Sequence, residues 1–125
     1  MIVEKDGKPR NLPVGAIRYV RANAHYTYIS DGMVEYFCKL PISAVETLLG
    51  AERFMRVHRS YIVALAYVTA VQREGENGYA YIGGGNVPRS IPVARGRIAA
   101  LRQRIGGEKH VVKSTPGAAV RAKQA

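Results

Sequence analysis

Tryptophan is absent from this chain and cysteine occurs once, at Cys38. A lone cysteine excludes an intramolecular disulfide, and no Cys/His cluster has zinc spacing. Cys38 reads as a small apolar residue in a strand. Acids are scarce, 9 against 19 Lys and Arg, and show no paired spacing suited to general acid–base work. His25, His58 and His110 make no metalloprotease pattern, and no serine sits in a G-x-S-x-G elbow. Gly83-Gly84-Gly85 lacks the Lys-Ser/Thr of a phosphate loop and leads into a Pro-containing stretch, so it reads as a turn. These absences argue against an enzyme and give no reason to expect a cofactor or a metal. Also missing are the ~18 consecutive apolar residues that a bilayer span needs. MIVEKDGKPRN has no signal-peptide core. No membrane partner is expected, and the cytoplasm is the expected compartment.

What the chain has is a core's worth of apolar residues, 47% of its 125, and a formal net charge of +10. The charge says nothing about fold. It predicts attraction to a polyanion.

Most of the chain reads as short β-strands. Ile17 to Arg21 alternates, with Ile17, Tyr19 and Arg21 on one face and Arg18 and Val20 on the other. Tyr26 to Ile29 is aromatic and β-branched, Asp31-Gly32 signals a hairpin, and Val34 to Leu40 returns. Further strands are expected at Tyr61 to Leu65, Tyr67 to Val71 and Tyr79 to Ile82, with a turn over Glu74 to Gly78. Val87 to Val93 is extended, and Pro88 and Pro92 confine it to an edge. A first helix lies near Ile42 to Leu49, begun either by Ser43 with Glu46 as a capping box or slightly earlier with Pro41 at the first helical position, and closed by Gly50. A second runs from Arg95 or Gly96 to Ile105 on a stripe of Ile98, Leu101 and Ile105, stopped by Gly106-Gly107. Residues 1–107 form the expected domain. Residues 108–125 read as a flexible basic tail that can add phosphate attraction.

Three stretches could carry function. In RFMRVHRS, Phe54 and Val57 face inward, while Arg56, His58 and Arg59, with Ser60 beside them, crowd an exposed connector before a buried strand. An arginine held there can present its planar fork to guanine O6 and N7 or to phosphate. Arg95 and Arg97 stand where an irregular strand turns into the last helix. Arginine beside the positive end of a helix dipole is disfavoured, and an anionic partner would relieve it. The connector Asn23-Ala24-His25-Tyr26-Thr27 is polar and aromatic, with side chains suited to base edges or phosphates.

FMRVHRSYIVAL, AIRYVRANAHYTYI, LPISAVETLL and SIPVARGRIAALRQRI, in that order, resemble the LytTR family of DNA-binding domains, over roughly Ala16 to Ile105. The resemblance implies a mainly β fold, an elongated arrangement of antiparallel sheets with a short helix between strands and a short C-terminal helix. It also implies a sequence-specific transcription regulator, the output domain of a response regulator in a two-component system, whose loops enter successive major grooves of double-stranded DNA. By position it makes Arg59 and Arg95 base readers and places a third contact in the loop around His25 to Thr27, beside the candidate Asn23. Arg56, His58 and Ser60 then position the backbone; Arg97, beside Arg95 in the basic cluster, is a further DNA-binding candidate on its charge. Direct-repeat promoter sites, a homodimer on DNA, and a fused or separate sensor or receiver domain are implied as well. Ala64, Ala94 and Arg21 depart from the family's usual asparagine, serine and glutamate. Two other classes stay open on the residues alone: a small β-rich RNA or single-strand binder that stacks bases on its tyrosines, and a module for an acidic protein.

Overall fold

The computed structural model describes residues 1–83 and 89–109. Its strands are β1 (Ile2–Lys5), β2 (Lys8–Asn11), β3 (Tyr19–Asn23), β4 (Tyr26–Ser30), β5 (Glu35–Cys38), β6 (Phe54–His58), β7 (Tyr61–Ala64), β8 (Val68–Glu74), β9 (Asn77–Ile82) and β10 (Arg89–Val93). The helices are α1 (Ile42–Leu49) and α2 (Ile98–Lys109), with single 3-10 turns at Val14–Ala16, Leu65–Tyr67 and Arg95–Arg97. All pairings among the described residues are antiparallel. One sheet runs β2-β1-β5-β4-β3-β7-β6 and the other β10-β9-β8. The expected mainly β architecture is what the chain adopts.

The apolar run YIVAL is explained by burial on both faces. Ile62 and Ala64 point into one core, with Val20, Ile29, Val45 and Phe54. Val63 and Leu65 point into a second, with Val57, Val68, Ile91, Ile98 and Leu101. The large sheet thus lies between α1 on one side and the small sheet with α2 on the other. A strand covered on both faces loses the alternation of a half-exposed one and reads as continuously apolar. Glycine matters at one contact here: a Cβ on Gly78 would come within 2.5 Å of Ile98 Cδ1, so its absence lets α2 settle onto β9.

Several expectations are corrected. Ile17 packs with Val20, not with Tyr19, because the 3-10 turn at Val14–Ala16 delivers it before the pleat of β3 begins. Phe54 to His58 is a strand rather than a connector, leaving Arg59-Ser60 as the turn. β1 and β2 were not anticipated, although Asp6 and Gly7 (φ 54° and 76°) have the positive values of a primed hairpin turn. α1 starts at Ile42 after Pro41, close to the earlier of the two starts, and Ser43 makes no side-chain cap. Gly50, with φ 79°, closes it. α2 continues through Gly106-Gly107 to Lys109. Glycine lowers helix propensity but raises no steric barrier, and the anchored turns before it carry the helix on. β10 lies at the edge of the small sheet, where its Pro92 is tolerated. The expected turn at Gly83-Gly84-Gly85, the start of the Val87 strand and the tail beyond Lys109 fall largely outside the described residues.

Glu35 ties strands and sheets together. It accepts from Arg21 on both oxygens (2.9–3.1 Å) and from the Tyr19 hydroxyl, and it faces Arg89 of β10 at 3.9 Å. The Arg21 guanidinium also lies 4.4 Å over the Tyr28 ring. Arg21, where the family often has glutamate, therefore finds its carboxylate on β5. Burial pushes the Glu35 carboxyl up, but the bonds from Arg21 and Tyr19 and the charges of Arg21 and Arg89 outweigh it and hold it below its ordinary 4.5. Tyr19 is pushed up to about 12, first by burial and then by Glu35, and stays a donor.

Two outcomes follow. Ile62→Ala should cost about 2–4 kcal/mol in denaturant unfolding. Glu35→Gln should cost about 1–2 kcal/mol at neutral pH, discounted because a quarter of the side chain faces solvent. A depressed folded value stabilises above the ordinary range and is lost as pH falls through it. The gap between Glu35→Gln and the parent should therefore hold above pH 4.5 and close below it, read from urea midpoints across pH.

Candidate nucleic-acid interface

The antiparallel pairing decides which turns share an end of the molecule. Asn23 pairs with Tyr26 across the two-residue turn Ala24-His25, and His58 faces Tyr61 across Arg59-Ser60. β3 and β7 are neighbours, and Ala22 N–H donates to the Ser60 carbonyl at 2.8 Å, so these two turns lie side by side. A bulge between Arg56 and His58 brings in a third. There the Val57 carbonyl accepts from Ala94 N–H at 2.8 Å, which sets the 3-10 turn Arg95–Arg97 beside β6. The tip of the β8–β9 hairpin, Gly75-Glu76, completes the group through Glu76, whose carboxylate is 2.7 Å from Arg95 Nη1. His58, Glu76, Tyr79 and Arg95 line a cleft of about 340 Å³ between these turns.

The structure sorts the expected residues. Asn23 and His25 are exposed at the first turn, where Ala24 takes φ 57°. Thr27 does not join them. It is fully buried, and its hydroxyl donates to the Leu40 carbonyl at 3.1 Å, because it shares the inward face of β4 with Ile29. Tyr26 is exposed there instead, its ring packed on Phe37. Arg59 stands exposed at the tip of its turn, and its guanidinium has no hydrogen bond or ion pair among the described residues.

Arg56 is a clamp. One terminal nitrogen meets Glu46 of α1 at 3.0 Å, the other donates to the Arg59 carbonyl at 2.6 Å, and its own carbonyl accepts from Arg97 Nη1 at 3.2 Å. His58 accepts the Ser60 N–H at Nδ1, 3.1 Å away. Burial, then the Arg59 charge, lowers the His58 pKa, so the ring is neutral at pH 7 with its proton on Nε2. The anion that relieves Arg95 at its helix start is supplied by the chain itself, as Glu76. The turn around Glu76 was legible in the sequence, but its partnership with an arginine 19 positions away was not.

A rigid β domain that projects basic, hydrogen-bonding turns from one end is built to meet a polyanion. The chain belongs to the LytTr DNA-binding domain family, whose model matches residues 8–106. It is 35% identical over 93 residues to the CO-responsive transcriptional regulator RcoM of Rhodospirillum rubrum, and 29% identical over 86 residues to the heme-containing CO-sensing transcriptional regulator RcoM 2 of Paraburkholderia xenovorans. These matches cover 73% and 69% of this chain but 38% and 32% of those proteins, so the chain spans about a third of their length. A solved LytTr DNA-binding domain from Bacillus cereus shares the fold, with a TM-score of 0.71 at 20% identity over 86% of this chain and 95% of that one. No helix among the described residues is long and apolar enough to cross a membrane.

Because Arg56 spans α1 and the Arg59 turn, Arg56→Ala should lower stability by about 1–2 kcal/mol. It should also weaken DNA binding through a looser turn. Thermal unfolding and a titration on one DNA fragment check both. Unchanged stability would make Arg56 a surface residue.

Proposed function

We propose that this chain is the sequence-reading part of a cytoplasmic transcription regulator and that it binds double-stranded DNA by laying its turns in the major groove. The observation that carries this reading is the convergence of Ala24-His25, Arg59-Ser60 and Arg95–Arg97 on one end of a stiff, doubly covered sheet. Arg59 has its whole fork free for guanine O6 and N7, and Arg95 has one terminal nitrogen engaged and a mostly exposed side chain. Asn23, His25, His58 Nε2 and the Ser60 hydroxyl supply neutral contacts to base edges or phosphate, and Arg97 a charged one. The family membership supports the same reading. Sites arranged as direct repeats, pairing of two copies on DNA, and a sensor or receiver, fused or separate, belong to this proposal.

With about four to six phosphates neutralised, the log–log salt dependence of binding should have a slope of about −4 to −5. Arg59→Ala and Arg95→Ala should each cost about 1–3 kcal/mol of discrimination at one base pair, and much less affinity for random DNA. Binding-site selection repeated with each variant reads this out. Base preferences identical to the parent's would remove both residues from base reading. Preference for single strands or RNA over duplex in competition would favour a stacking platform. Binding without any sequence preference would fit a module for acidic proteins.

A further inference from the structure

Glu76 is a carboxylate placed among groups that should attract phosphate. It is held at the second position of a two-residue hairpin turn, fixed by Gly75 (φ 63°) and by the Glu74–Asn77 pair that closes the ladder. Its side chain is 80% exposed, and Arg95, at 2.7 Å, is 63% exposed, so the pair sits at the surface that the other turns share. Surface ion pairs of this kind contribute little to stability, so stability alone gives weak reason for an acid here. Against DNA the same acid is costly, because it repels phosphate and must leave water. It is repaid only where the groove presents a donor.

We propose that Glu76 is a specificity-determining residue that works with Arg95 as a pair. Its carboxylate accepts from an exocyclic amino group in the major groove, cytosine N4 or adenine N6, next to the guanine that Arg95 reads. It rejects positions that show acceptors alone. Major-groove chemistry supports this division: guanine offers two acceptors to the arginine fork, cytosine and adenine offer an amino donor, and thymine offers an acceptor and a methyl. The Glu76–Arg95 contact also aims the fork, since with Nη1 turned to the carboxylate, Nη2 and Nε define the direction left for a base. Discrimination then comes from a repulsive element as well as an attractive one.

This inference rests on the DNA-reading proposal, and its test separates the two. Binding-site selection is run on the parent, Glu76→Ala, Glu76→Gln and Arg95→Ala, with affinities for a selected site and for random duplex measured at one salt concentration. Glu76→Ala should bind random DNA several-fold more tightly. It should also lose about tenfold discrimination at a position beside or within the pair that Arg95→Ala affects. Glu76→Gln, which can both donate and accept, should move that position toward adenine. The double variant Glu76→Ala/Arg95→Ala should lose less than the sum of the single losses. Melting curves should be nearly unchanged, as both side chains are exposed. If the Glu76 variants bind all sequences more tightly with base preferences unaltered, Glu76 is only a general repulsive charge and the proposal falls. If the parent itself selects no sequence from duplex DNA, the sequence-reading proposal falls, and this one with it.

Discussion

The burial of β7 on both faces is the constraint on which the rest of the molecule depends. A four-residue strand with apolar side chains up and down cannot sit at a solvent boundary. It needs a layer on each side. α1 supplies one, and the small sheet with α2 supplies the other. The turn immediately before β7 is then tied to the best-packed part of the chain, which is why Arg59 can be exposed without being adrift. Interiors packed at crystal-like density yield little to small forces, so the backbone that carries Arg59 keeps its place in the free protein.

The positive charge divides into two kinds of arginine. Arg18 donates to the Gly83 carbonyl at 3.0 Å and stacks 3.8 Å over Tyr67, Arg21 is forked onto Glu35, and Arg104 donates to the carbonyls of Ala51 and Glu52. These side chains join loops and sheets that apolar contacts alone leave apart. Arg59 holds nothing in place. A count of basic residues therefore overstates the surface available to a ligand, and which arginines are free depends on where carbonyls and carboxylates lie.

Much of this was legible in the chain. The hairpin alternation, the stripe of α1 and the YIVAL run carry their structure in local periodicity, and the family resemblance placed the turns. What escaped notice had competing signals. Phe54 to His58 looks like a loop because its outward positions are charged, yet charge on an edge strand is how a sheet avoids pairing with its neighbours. Thr27 looked available because it is polar, although its spacing from Ile29 puts it on the inward face. The strands around Asp6-Gly7 are short, charged and interrupted by Pro9, so only the turn itself signalled them. The roles of Arg56 and Glu76 come from contacts across 10 and 19 positions of sequence, and no local pattern encodes those.

The bulge at Val57 has a further consequence. By freeing one carbonyl for Ala94, it joins two separate stretches of chain at a backbone hydrogen bond two residues from Arg59 and one from Arg95. Backbone atoms are the same whatever side chain is attached. The interval between these two turns is therefore set by main chain, whatever residue stands at the tip of each. On the proposed reading, change at positions 59, 76 and 95 rewrites the letters without altering the spacing between them, so descendants of this domain could acquire new vocabularies while keeping one fixed ruler.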